Sequence, residues 1–200
     1  VKVVSILEKI TSKSTSYLNS LVLSINPFGF RTYFRGSDIG DVKILTSKGW
    51  AKVFRTDISK GVEYIDQFKI IVGRFVPSNG EMSVKPGEGY RVLTEPQILS
   101  PAEINTETYI DTAVFSTLEE AMNYKKYLLT KFARFLLRQG ITSVNVTKEC
   151  FAFVPIQDFT INGDINWSGT IPEIDQQLYI KYHLTDEEIA FIEKMIKPMQ

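Results

Sequence analysis

Residues 116–140 read STLEEAMNYKKYLLTKFARFLLRQG, and this stretch decides the fold. Ser116-Thr117-Leu118-Glu119 has the spacing of a capping box, in which a hydroxyl and a glutamate satisfy orphan backbone N–H groups reciprocally. Acidic residues fill the first turn, where the positive end of the helix dipole favours them, and Gly140 is the stop. The spacing predicts one helix from Ser116 to about Arg138. Its second half, YLLTKFARFLLR, is apolar on most faces, which places it at the centre of a packed domain.

Upstream of this helix the hydrophobic period changes. VKILT and WAKVFR flank Ser47-Lys48-Gly49, two β-rich runs around a short Gly-containing turn, the pattern of a hairpin. FKIIVGRFV (68–76) and YRVLTEPQIL (90–99) read as further strands, with Pro96 marking a bend or an edge. Between them SNGEMSVKPGEG reads as a loop, and residues 2–12 and 15–24 read as short helical pieces. Downstream, Ile141–Val146 and Phe151–Pro155 read as short extended segments. Thr170-Ile171-Pro172 opens a helix carrying Ile174, Leu178 and Tyr182 at spacing four. Thr185-Asp186-Glu187-Glu188 is a second capping box, opening a last helix that ends before Pro198. The expected architecture is α+β: a mixed β-sheet body over residues 1–157 with a central packed helix, then a small, acidic helical tail over 158–200. DFTINGDINWSGT links the two.

Composition bounds the function classes. With 44% apolar and 23% charged residues in 200, the chain is globular and not disordered. The one cysteine, Cys150, removes an internal disulfide framework and every CxxC pattern, which fits a reducing cytoplasm. No window approaches a bilayer span of roughly 20 apolar residues, and VKVVSILEKIT lacks the features of a signal peptide. A start at Val1 suggests a piece of a longer polypeptide. The zero net charge hides an asymmetry: residues 1–100 hold fourteen Lys/Arg against nine Asp/Glu, and residues 101–200 the reverse. A basic front suits a phosphate-facing surface, and an acidic back a solvated or protein-facing one.

Catalytic patterns are weak by comparison. His183 is the only histidine and reads as a helix-end residue, while Cys150 reads as a small buried one. Asn26-Pro27-Phe28-Gly29-Phe30 lacks the second proline of the Asn-Pro-Pro-aromatic loop of amino-methyltransferases, and only 25 residues precede it. Glu63, Asp66 and Lys69 read as a solvated face and not as a nuclease core, and no phosphate-cradling Gly-rich motif is present. What remains is PFGFRTYFRG: if extended, it puts Arg31, Tyr33 and Arg35 on one side. Lys52, Arg55, Lys69, Arg74, Lys85 and Arg91 extend a basic surface.

The segments PFGFRTYFRG, YRVLTEPQIL, TETYIDTAVF, TKFARFLLRQG, FAFVPIQDF and LYIKYHLTDEEIAFIEKMIKPM resemble successive landmarks of the carboxyl-terminal region of bacterial adenine-N6 DNA methyltransferases from type II restriction-modification systems, including bifunctional restriction-methylase enzymes. The order of helix, turn and Val-Pro strand end is also similar to target recognition domains of type I specificity subunits. The resemblance implies a non-catalytic fragment that recognises double-stranded DNA. The S-adenosylmethionine site would lie in an upstream methyltransferase domain of the same polypeptide, and this chain would hold no cofactor. A longer insert, Thr160–Ile171, sets this sequence apart from the commoner pattern. Charge and loop position then nominate Arg31, Tyr33, Arg35, Arg74, Lys85, Arg91, Thr142, Ser143, Asn145 and Lys148 as DNA contacts. Lys85 and Lys148 would meet phosphates, and Arg31, Arg35 and Asn145 base edges. The rival expectation is a protein-interaction or structural module of a restriction-modification complex, resting on the terminal apolar stripe Ile189, Ile192, Met195 and Ile196.

Overall fold

A computed structural model describes residues 1–77 and 89–199. Helix α1 (Lys2–Thr11) is followed by strands β1 (Val42–Thr46), β2 (Gly49–Val53), β3 (Phe68–Gly73), β4 (Gln97–Leu99), β5 (Glu103–Asn105) and β6 (Tyr109–Phe115). Helices α2 (Leu118–Leu129), α3 (Lys131–Gly140), α4 (Ile171–Lys181) and α5 (Asp186–Met195) follow. The fold is α+β. Among the described residues the strands form two three-stranded sheets, β2-β1-β5 and β4-β3-β6. The first is mixed, since β1 pairs antiparallel with β2 and parallel with β5, and the second is antiparallel. The β1–β2 hairpin turns at Ser47-Lys48, where Gly49 takes a φ of 109° that a side chain would resist.

Three differences from the sequence expectation have physical causes. The long helix is two helices broken at Thr130, which is at once the C-cap of α2 and the N-cap of α3. Its hydroxyl donates to the Tyr127 carbonyl at 2.6 Å and accepts from Ala133 N at 3.1 Å. Fully buried Arg134 gives its guanidinium to the Leu129 and Thr130 carbonyls, and Asp175 accepts from Lys131 N and Phe132 N at 2.9 and 2.8 Å. Side chains thus satisfy the helix ends that the break exposes. The cap of α2 is Thr117 and not Ser116, with Glu120 as its partner.

The second difference lies in the strands. Of residues 90–99 only β4 is strand, because Val92 adopts a φ of 75°. Residues 15–24 hold one 3-10 turn, Leu18–Ser20. Segments 141–146 and 151–155 contribute isolated bridges, Phe75–Asn145 and Tyr17–Pro155, in place of strands. The longest strand, β6, was not anticipated. The third concerns Lys69, expected on a solvated, basic face: it is fully buried on β3, its ammonium donating to the carbonyls of Tyr64, Ile65 and Gln67.

The main core runs from α1 through β3, β6, α2 and α3 into α4 and α5, where Ile174, Leu178, Tyr179, Tyr182, Ile192 and Ile196 are buried. The polar stretch after Asp158 also packs: Phe159, Ile165 and Trp167 are buried, and Phe159 and Trp167 lie against Tyr127. A smaller core under the first sheet holds Phe28, Val42, Ile44, Val53, Ile58, Ile65 and Ile104. No helix among the described residues is long and apolar enough to cross a membrane.

Candidate nucleic-acid interface

Segment 30–35 is not extended. Phe34 N closes a turn on the Arg31 carbonyl at 2.9 Å, so Arg31, Tyr33 and Arg35 do not align by strand alternation. A residue overlooked in the sequence organises them. Glu107, in the β5–β6 connection, accepts from Arg31 Nη1 at 3.1 Å and from Thr32 N at 3.3 Å, while its own N–H donates to the Phe30 carbonyl. Its carbonyl accepts from Arg74 Nη1 at 3.4 Å. Glu107 therefore joins two arginines 43 positions apart in the chain into one cluster. Arg35 extends it towards the hairpin: its Nη1 reaches the Thr32 carbonyl and Ser47 Oγ, at 3.2 and 3.4 Å. Tyr33 is 76% exposed between them.

Arg74 is held by its backbone as well. Its N–H donates to the Thr108 carbonyl at 3.2 Å, and its carbonyl accepts from Val146 N at 2.7 Å, which fastens the end of β3 to the loop after α3. That loop carries Thr142 and Ser143, both exposed, then Asn145 and Lys148. Ser143 Oγ accepts from Asn145 N at 3.2 Å and shapes the turn. Arg74 and Lys148 line one cavity of about 230 Å³ together with Leu23, Ile25, Tyr109 and Glu149. Burial pushes the Tyr109 hydroxyl pKa further above the ordinary phenol value.

The structure thus links Arg31, Arg74 and Lys148 through Glu107 and one cavity, with Tyr33 and Arg35 on the turn that follows Arg31 and with Thr142, Ser143 and Asn145 on the loop bridged to Phe75. Arg91 does not join them: its carbonyl accepts from Arg134 Nη1, and the adjacent Tyr90 pairs with the tail at Met195 and Ile196. Arg55 is engaged by Asp66 through two bonds of 2.8 and 2.6 Å. Lys85 lies outside the described residues. Phe75, 65% exposed beside Arg74, is a second residue that sequence reading missed; its place in an apolar strand run hid that it lies past the end of β3.

The catalytic alternatives do not gain from the geometry. Phe28, which would have to stack a flipped base, is buried in the smaller core, and this does not fit a methyl-transfer loop. Cys150 is buried and caps a 3-10 turn, its sulfur accepting from Thr147 N at 3.4 Å. His183 is exposed at a φ of 52° just past α4. Among the described residues no three His, Cys, Asp or Glu side chains are grouped to hold a metal ion. No family model, curated protein or solved structure matches the chain.

Proposed function

We propose that this chain is the DNA target-recognition part of a bacterial restriction-modification adenine-N6 methyltransferase, working in the cytoplasm. It is non-catalytic by itself and holds duplex DNA so that an upstream S-adenosylmethionine-dependent domain of the same polypeptide reaches the target adenine. One observation carries the reading beyond sequence resemblance. Residues from distant parts of the chain meet: Arg31 and Arg74 through Glu107, and Arg74 and Lys148 on one cavity, with Arg35 on the turn next to Arg31 and Asn145 bridged to Phe75 next to Arg74. Arginine and lysine clustered with exposed aromatic and amide side chains supply phosphate clamps and base-edge readers together.

The protein-interaction alternative rested on the terminal apolar stripe. Ile192 and Ile196 are buried and Ile189 and Met195 pack on the main core, so that stripe is used inside this chain and favours the DNA reading. The test is binding of fluorescein-labelled duplex DNA by the chain across a salt series. Phosphate contacts release counterions, so affinity should fall steeply from ~50 to ~200 mM salt. A flat profile, or no binding at the lowest salt, counts against the proposal.

A further inference from the structure

The stretch Arg74–Val76 is clamped along both edges: Arg74 N donates to Thr108 O, Val146 N to Arg74 O, and Val76 N to Val144 O at 2.9 Å. Between these bonds Phe75 and Asn145 stand opposite each other as an antiparallel bridge. Side chains alternate along extended backbone, and directly opposed residues share a face. Val76 and Val146 are in the main core, so the face they share points inward, and Phe75 and Asn145 point outward together. The ring is 65% exposed, and the Asn145 side-chain amide has no hydrogen-bond partner among the described residues. An exposed aromatic on a fixed backbone beside a free amide forgoes apolar burial until a partner covers it. Arg74 leaves the strand on the other face by the same alternation and lines, with Lys148, the cavity beside it, so a partner that wraps this edge and carries negative charge is the complementary one.

We propose that Phe75 and Asn145 form a base-reading pair in the major groove of bound DNA: the Phe75 ring packs on a thymine methyl group, and the Asn145 amide reads the edge of an adenine. Asn145 Nδ2 would donate to adenine N7 while Oδ1 accepts from the adenine amino group, the two-point contact that asparagine makes with this base. The backbone clamps fix the positions from which both side chains project, so little backbone order is lost on binding. This pair rests on the DNA-binding reading above and names the residues through which that site selects sequence.

The experiment is selection of a duplex from a random library on the 200-residue chain, followed by affinity measurements on Phe75→Ala, Phe75→Trp and Asn145→Ala. Phe75→Ala should weaken binding by roughly tenfold, and Phe75→Trp should retain it. Asn145→Ala should lose the preference for adenine at one position of the selected site, by roughly tenfold. Both side chains lie outside the core, so melting temperatures should match the parent chain. If Phe75→Ala and Asn145→Ala bind and select as the parent does, the pair is refuted while DNA binding stands. If the parent chain binds no duplex at low salt, the DNA reading falls and the pair with it.

Discussion

Asp111 is fully buried on β6, with one carboxyl oxygen accepting from Asn105 Nδ2 at 2.9 Å and the other without a partner. Burial pushes its pKa up to about 7, against the pull of Asn105 and of Lys69. Burial also brings Lys69 down to about 8. The two act on stability in opposite directions. Asp111 keeps in the folded chain a proton that the unfolded chain releases near 3.8, so its contribution falls as pH rises from about 4 to about 7. Lys69 releases in the folded chain a proton that the unfolded chain holds to 10.5, so its contribution rises from about 8 to about 10.5. Stability from this pair is lowest between about pH 7 and 8. Asp111→Asn should remove the falling limb: it should melt above the parent chain at pH 8, and the gap should close or reverse by pH 4. Equal pH profiles for the two chains in thermal melts would contradict this.

Among the elements, the α2–α3 break depends on Thr130 serving both helix ends. Thr130→Ala removes the hydroxyl that bonds Tyr127 O and Ala133 N, and should cost ~1–2 kcal/mol in urea unfolding. Thr130→Ser should recover most of that. The sequence hides this break, because the apolar pattern continues across it. The groups that stabilise it include Asp175, a residue more than 40 positions downstream. The two terminal helix starts were legible because local signals create them: Pro172 in the first turn after Thr170, and the Thr185–Glu188 capping box; the box that Thr170 forms with Glu173 emerged only in the structure. The β1–β2 hairpin was legible as well, since its turn chemistry is local too. Strand β6 was not, since Asp111 and Thr112 are buried within it and break the alternation that marks a half-exposed strand. The candidate site was legible only as residue types. Arg31 and Arg74 meet through Glu107, and no local spacing predicts that contact.

The chain is closed as a whole by its two ends. Glu188 at the start of α5 accepts from Lys9 Nζ at 2.6 Å and Ser5 Oγ at 2.7 Å on α1. Burial alone would raise its pKa, but the bonds from Lys9, the Thr185 backbone and Ser5 bring it down to about 2. Further along, Lys131 on α3 pairs with Glu193, which also accepts from the Tyr179 hydroxyl at 2.9 Å. Removing residues 158–200 would uncover Tyr127 and Phe132, which pack on Phe159, Trp167, Tyr179 and Tyr182. The truncated chain should therefore lose its cooperative unfolding transition and its near-UV circular dichroism; a folded 1–157 fragment would show that the tail is not core. On the proposed reading, this closed body is the rigid mount that holds the basic cluster in register on DNA. The most direct measurement is the slope of log affinity against log salt for the chain and for Arg74→Ala/Lys148→Ala. Each lost phosphate contact should lower the slope by about 1, so the double variant should bind more weakly with a slope shallower by about 2. Equal slopes and equal affinities for the two chains would contradict the account.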